Sequence, residues 1–338
     1  MFLAALLTAT FLLTGSRQDA QPELPKGAQG VWRAQSSNTD VTLTDVAFAD
    51  SSRGWAVGAG GTVLRTSDGG TTWERQDSGT DVTLLKMSFV SPEEGWAVGK
   101  LGVVIHTRDG GKTWERQAAD ATLGLNLIGV SFVDAQTGWV MTERGSVMLK
   151  TEDGGKTWAR QFFSNTGLRS DLAFVDARQG WAVFAGGSLL HTSEGGETWA
   201  HQAGVNGVQL GTTGAFFLDE NNGWISGWRG KRQGLGSGLQ FLRFLTDGMV
   251  ARTTDGGATW TRHDSDTGHT LRDVAFVDAL RGWAVGAFGT IVGSDDGGIT
   301  WIPWPSGTEA GLRGVAFVDR NNGWAVGEEG TIPKFGPL

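Results

Sequence analysis

Three carboxylates are the first residues in this sequence whose spacing could do chemistry. Asp45, Asp171 and Asp273 each stand three residues before a phenylalanine, at Phe48, Phe174 and Phe276. Paired carboxylates cleave glycosidic bonds, one acting as acid and the other as base or nucleophile, so the recurrence is weighed as a hydrolase signal. Lys86 holds the same offset before Phe89 and offers a neutralising partner; channel water would serve such acids equally. Six further acids fall in copies of a T-x-D-G-G-x-T-W motif: Asp68, Asp109, Asp153, Glu194, Asp255 and Asp296. A short carboxylate there accepts backbone N–H bonds within a turn while the glycines take positive φ. That is a structural use of the acid, and Glu194, one methylene longer, predicts a looser turn. The rest of the inventory offers little. The chain has no Tyr, no Cys and five scattered His, which removes thiolate chemistry and disulfides and leaves no identifiable Ser-His-Asp set or His-based metal site. No catalytic residue, metal or cofactor is expected.

The elements that carry these acids repeat. A Gly-Trp pair recurs with its Trp at 55, 96, 139, 181, 224, 283 and 324, at spacings of 41, 43, 42, 43, 59 and 41. A Phe precedes each by seven residues, with a turn between. Period-2 alternation on either side of that turn reads as two strands buried on their faces, and a third strand leads into the acidic motif. The motif's own Trp, at 73, 114, 158, 199, 260 and 301, anchors a fourth. Four strands in about 42 residues make a propeller blade. The seventh unit stops before an acidic motif, whereas Trp32 and Gln35 repeat the outer-strand pattern of Trp73 and Gln76 with no unit of their own. The expected fold is therefore all-β, a seven-bladed β-propeller of four-stranded antiparallel blades, its ring closed by the N-terminal strand, which pairs the strand edges that an open array would expose. Its span is 30–338. Residues 1–16, an apolar run ending in small residues, read as a signal peptide, and 17–29 as a linker; the expectation is an exported protein.

Two tryptophans and one insertion lie outside the repeat. Trp304 stands on an outer strand where other blades have Gln or His, and surface packing is expected of it. His106 and His191 share a position with Arg65, Lys150 and Arg252, which reads as a polar surface position. Blade five carries extra residues between its second and third strands, about 228–247, including Trp228, Arg229, Lys231, Arg232 and Arg243. That loop shares a face with the leading ends of the first strands, where Arg272 and Arg313 stand. Two readings are open. These residues form one basic, partly aromatic partner-binding patch, or Arg272 and Arg313 pair with neighbours such as Asp273 and Asp45 and the insertion is solvated. The net charge of −8 argues against a nucleic-acid binder.

The F-x(6)-W units, as in Phe276-Val-Asp-Ala-Leu-Arg-Gly-Trp283-Ala-Val-Gly, and the T-x-D-G-G-x-T-W turns, known as Asp boxes or neuraminidase repeats, resemble the photosystem II assembly and stability factor family over residues 30–338. Asp boxes also occur in sialidases, whose nucleophile is a Tyr, a residue missing from this chain. The resemblance implies a lumenal or periplasmic propeller that binds newly made reaction-centre protein through an arginine-rich patch; a monomeric, non-catalytic scaffold is expected. Arg272, Arg313 and the basic insertion are the positions that would match it. The alternatives are a secreted carbohydrate-active hydrolase and a generic extracellular scaffold.

Overall fold

A computed structural model describes residues 23–26, 28–117, 124–143, 147–162, 167–205, 210–232 and 244–338. The segment expected to be a signal peptide lies outside them. Seven four-stranded antiparallel sheets are arranged as a ring of blades. Six blades follow chain order from inside to outside, beginning for example with Leu43–Phe48 and Gly54–Gly58 in blade one. The seventh is composite: Leu312–Asp319, Asn322–Gly327 and Ile332–Pro337 are completed by Gly30–Gln35, which pairs with the last strand from Gly30↔Pro337 to Gln35↔Ile332. The expected closure by the N-terminal strand is what the structure shows.

Blade-to-blade packing explains the Phe and the Gly-Trp. Each Gly-Trp indole is stacked on the Phe of the next blade, as in Trp55 on Phe89 at 3.7 Å and Trp324 on Phe48 at 3.5 Å. The other face of the junction is an edge contact between that Phe and its own blade's outer tryptophan, such as Phe48 with Trp73. Glycine precedes the stacked Trp because a Cβ on Gly54 would stand 2.3 Å from the Phe48 ring. Offset aromatic pairs add roughly 0.5–1.5 kcal/mol beyond burial, and the pair recurs at all seven junctions.

A second tie crosses six of the seven junctions on the face bearing the acidic turns, here the lower face. The indole N–H of Trp55 donates to the Gly110 carbonyl, in the acidic turn of the next blade, at 2.8 Å. Trp96, Trp139, Trp181, Trp224 and Trp324 do the same to Gly154, Gly195, Gly256, Gly297 and Gly69. Within the turn, Asp68 Oδ1 accepts from the Thr72 backbone N–H at 2.9 Å and Oδ2 from the Thr72 hydroxyl at 2.7 Å, while the Gly70 N–H donates to Thr66 Oγ1. Asp109, Asp153, Asp255 and Asp296 make the same pair of bonds. Glu194 keeps the hydroxyl bond, from Thr198 at 2.7 Å. The backbone bond from residue 198 is missing from its set.

Two sequence expectations change. His106 is buried, not a surface residue: it stacks on Trp96 at 4.4 Å and is bonded on both ring nitrogens, to Glu94 and Gln117. Trp304 is also buried, 7% exposed, packed edge-on against Phe335. Both side chains fill the space beside a Gly-Trp indole, which a polar residue can enter once its nitrogens find partners.

Candidate protein-binding face

The upper face of the ring is built from the leading ends of the first strands and the turns joining second to third strands. Every first strand has a register shift at its start, as between Leu43 and Asp45. A bulge of this kind re-aims the extra side chain. Thr44, Ser170 and Thr213 are bulge residues, and each hydroxyl donates across the junction to a carbonyl of the next blade: Leu84, Thr212 and Leu271. Arg272 and Arg313 take the same place in blades six and seven.

Just below the bulges, one residue per blade stands on the innermost strand in the order Asp45, Lys86, Gly129, Asp171, Gly214, Asp273, Gly314. Each Asp binds forward to a backbone N–H of the next blade: Asp45 to Met87 at 2.8 Å, Asp171 to Ala215 at 3.0 Å and Asp273 to Val315 at 2.9 Å. The glycines make room for them. A Cβ on Gly214 would lie 2.9 Å from Asp273 Oδ1, and one on Gly314 3.3 Å from Asp45 Oδ1. Lys86 Nζ lies 3.6 Å from Asp171 Oδ2. Burial pushes the Asp273 carboxyl up to about 7, with Lys86 pulling against it and Asp45 and Asp171 adding to the rise. Burial likewise raises Asp45. These carboxylates are all buried and each has an oxygen held by backbone, so the structure uses them as interblade ties. Among the described residues no group of acids and His is arranged to hold a metal ion.

Among the basic residues singled out in the sequence, the side chains of Arg229, Arg272 and Arg313 lie within the described part of the structure. Arg272 and Arg313 do come together, both on Glu328 Oε1, at 3.0 and 2.9 Å, rather than on Asp273 or Asp45. Burial works against the Glu328 carboxylate, but the two guanidinium hydrogen bonds hold it below the usual range. Arg229 is tied to its own blade, 3.0 Å from Asp264 and 3.7 Å from Asp247. The insertion extends the second and third strands into a hairpin, Gly223–Arg232 against Phe244–Thr253. Trp228 is half-buried there, its ring so close over Gly211 that a Cβ would clash. Lys231 and Arg232 pair through the backbone with Leu245 and Phe244, and Arg243 lies outside the described residues.

The same face carries apolar groups that the sequence reading missed. Leu101 and Phe288 form the tips of second-to-third strand turns, 63% and 70% exposed, with φ of 54° and 55°. Glycine fills that place in blade one, at Gly60 with φ 61°. Left-handed backbone costs a non-glycine residue on the order of 1–2 kcal/mol, so these two side chains carry a penalty in conformation as well as in exposure. Leu168, 51% exposed, precedes the first strand of blade four on that face. The readable signal was the alignment of Gly-Ala-Gly60-Gly with Gly-Lys-Leu101-Gly and Gly-Ala-Phe288-Gly.

Comparison with known proteins follows the same lines. A family model described as "Photosynthesis system II assembly factor YCF48" matches residues 24–159. None of the curated proteins is detectably similar in sequence. The fold resembles a structure titled "YCF48 bound to D1 peptide", with a TM-score of 0.74 and 22% identity over 94% of this chain and 100% of that one. It also resembles YCF48 from Cyanidioschyzon merolae, TM-score 0.72 and 24% identity over 90% and 99% of the two chains. Virginiamycin B lyase from Staphylococcus aureus shares the architecture at a TM-score of 0.73 and 13% identity, over 92% and 100%. The family match across residues 24–159 and the shared seven-bladed ring make this chain similar to the photosystem II assembly factor-like propellers.

Proposed function

We propose that this propeller is a non-catalytic scaffold of the photosystem II assembly factor type, exported from the cytoplasm, that holds a segment of a membrane-protein partner on its upper face. The observation that carries the reading is the pairing of costs on that face: Leu101 and Phe288 are apolar, exposed and in left-handed backbone at once. Non-glycine residues in left-handed backbone cluster at functional surfaces, and exposed apolar groups beside arginines are typical anchors of an interface. A related propeller is described as bound to a D1 peptide, which supports a reaction-centre protein as the class of partner where the host is phototrophic. A hydrolase would need carboxylates free to exchange protons with substrate. Here the repeated acids are occupied in joining blades.

Capture from detergent-solubilised host membranes tests this. The protein without its first 16 residues should retain a membrane protein, and an Arg272→Ala/Arg313→Ala variant, which frees Glu328 on the same face, should retain much less. Equal retention by both would move the contact off this face. Retention of nothing, with turnover of a glycan substrate, would replace the scaffold reading with the hydrolase one.

A further inference from the structure

In six blades the residue paired with the Gly-Trp tryptophan is large and polar, and in blade six it is Gly293. Five of the six polar side chains have a partner. Arg65 donates from Nε to the Gly110 carbonyl at 2.8 Å, His106 is held by Glu94 and Gln117, and Lys150 lies 2.7 Å from Glu152. His191 meets Gln179 at 2.9 Å, and Lys334 sits over the Trp324 ring. Arg252 is the sixth, and among the described residues it has no partner of these kinds. The carbonyl equivalent to Gly110, that of Gly297, accepts from Trp224 instead. Arg252 Nε is buried with no acceptor, whereas Nη1 and Nη2 are not sealed. Those two outer N–H groups are the part of this cation that a ligand can meet.

Arg252 lines a groove of about 290 Å³ with Thr254, Thr259, Thr261, His263 and Ile299. The groove lies between the third and fourth strands of blade five, Phe244–Thr253 and Thr261–Asp264, and the acidic turn of blade six, which carries Ile299. Blade three has a groove of about 580 Å³ at the equivalent place. There Glu152 and Glu197 stand where blade five has Thr254 and Ile299, and Glu152 neutralises Lys150. Blade five therefore has the cation and neither acid. Its other carboxylates are engaged: Asp255 and Asp296 each bind a backbone N–H and a hydroxyl of their own turns, and Asp264 lies 3.0 Å from Arg229. Burial, with Arg252 adding to it, outweighs the pull of Asp296 and Asp264 and favours neutral His263. The groove thus presents one fixed positive charge, with the exposed hydroxyls of Thr254 and Thr261 beside it.

We infer that this groove is a carboxylate-binding site, independent of the upper-face reading, in which the two outer N–H groups of Arg252 hold the carboxylate and the carbon chain behind it lies on Ile299. A single negative charge matches the single guanidinium, whose planar fork fits two carboxylate oxygens at once. The ligand takes on Arg252 the part that Glu152 plays on Lys150. Ile299, 52% exposed, favours an acid that continues as apolar carbons, which describes both a glutamate side chain of a protein and a free short-chain carboxylic acid.

The probes are acetate, butyrate, N-acetylglutamate amide and inorganic sulfate, each titrated into the protein at constant ionic strength. NMR follows the His263 imidazole, assigned through His263→Gln, which places there the residue that blades one to four carry. The signal should move and saturate, with butyrate binding severalfold more tightly than acetate because its added carbons reach Ile299. Thr254→Glu, at an exposed position, installs the acid of blade three and should weaken every carboxylate roughly tenfold with thermal unfolding unchanged. Ile299→Ala should bring butyrate and acetate to equal affinity. An unmoved His263 signal at the highest probe concentration, or equal affinities of Thr254→Glu and the wild type, would overturn the site. Sulfate binding as tightly as butyrate would overturn its assignment to carboxylates. Tighter binding of N-acetylglutamate amide than of butyrate would identify a protein side chain as the source of the carboxylate, and the reverse order a free carboxylic acid.

Discussion

Trp32, near the start of the chain, meets Phe317, near its end, edge to face at 5.7 Å. The contact repeats what Trp73 does for Phe48 within blade one, although here the partners are joined by no local turn. Six residue pairs between Gly30–Gln35 and the last strand hold it in register. Trp32→Ala and Trp73→Ala should each cost about 3–5 kcal/mol, as for large core truncations. Removal of residues 30–35 should cost more than either, because it strips a whole strand and its six pairings from the last blade and uncovers the edge of Ile332–Pro337. Thermal and urea unfolding of the three variants orders them, and a truncation that melts with the wild type would refute closure as a source of stability.

Glu194 offers a gain instead of a loss. Its longer side chain reaches the Thr198 hydroxyl but forgoes the backbone N–H that five aspartates capture. Glu194→Asp restores a short carboxylate at an exposed turn, where one hydrogen bond contributes about 0.5–1.5 kcal/mol. The midpoint in urea should rise with an unchanged slope. A lower midpoint would mean that blade four has adapted its turn to the longer acid.

How far the sequence reveals this molecule depends on whether a feature is repeated. Phe, Gly-Trp and the acidic turn recur in register, so blade number, strand order and closure through Trp32 could all be read from spacing. Pairings between unlike repeats left no such trace. Arg272 and Glu328 are 56 residues apart and meet because a bulge in blade six aims at a turn in blade seven. His106 looked like its charged counterparts Arg65 and Lys150, yet Glu94 and Gln117 saturate both ring nitrogens and allow it to be buried. Trp304 was legible only as a departure: Gly293, beside it, breaks a column of polar residues.

The channel acids make stability depend on pH with a definite sign. Asp273 is raised to about 7, burial being the largest cause, whereas an unfolded aspartate titrates near 4. Between those values the folded chain holds a proton that the unfolded chain has released. Its contribution is complete below about pH 4 and falls as pH rises, with a slope of at most about 1.4 kcal/mol per unit, until it is lost near pH 7. Asp45, also raised, acts in the same direction. The turn carboxylates Asp68, Asp109, Asp153, Asp255 and Asp296 are lowered by their hydrogen bonds and lose their contribution as the medium becomes more acidic than about pH 4. Asp273→Asn keeps an oxygen for the Val315 N–H and removes the titration. The stability of wild type relative to this variant should shrink from about pH 4.5 to about pH 7.5; parallel profiles would show that Asp273 ionises normally in the fold.

Leu101 and Phe288 allow binding and stability to be separated. Both occupy left-handed backbone at turn tips where blade one has Gly60, and their side chains lie largely in solvent. Glycine at either position removes the conformational penalty and the exposed apolar surface together, so Leu101→Gly and Phe288→Gly should unfold at the wild-type temperature or above it, with a gain near 1 kcal/mol each. Most substitutions that weaken an interface leave stability unchanged or lower it. On the upper-face reading proposed above, these should weaken partner capture while raising stability. Phe288 also leans on His269, with ring centroids 5.0 Å apart, a contact that offers some local compensation and makes Leu101 the cleaner of the two. If Leu101→Gly destabilises the ring, its side chain belongs to the fold; if it stabilises the ring and capture is undiminished, the upper face binds elsewhere.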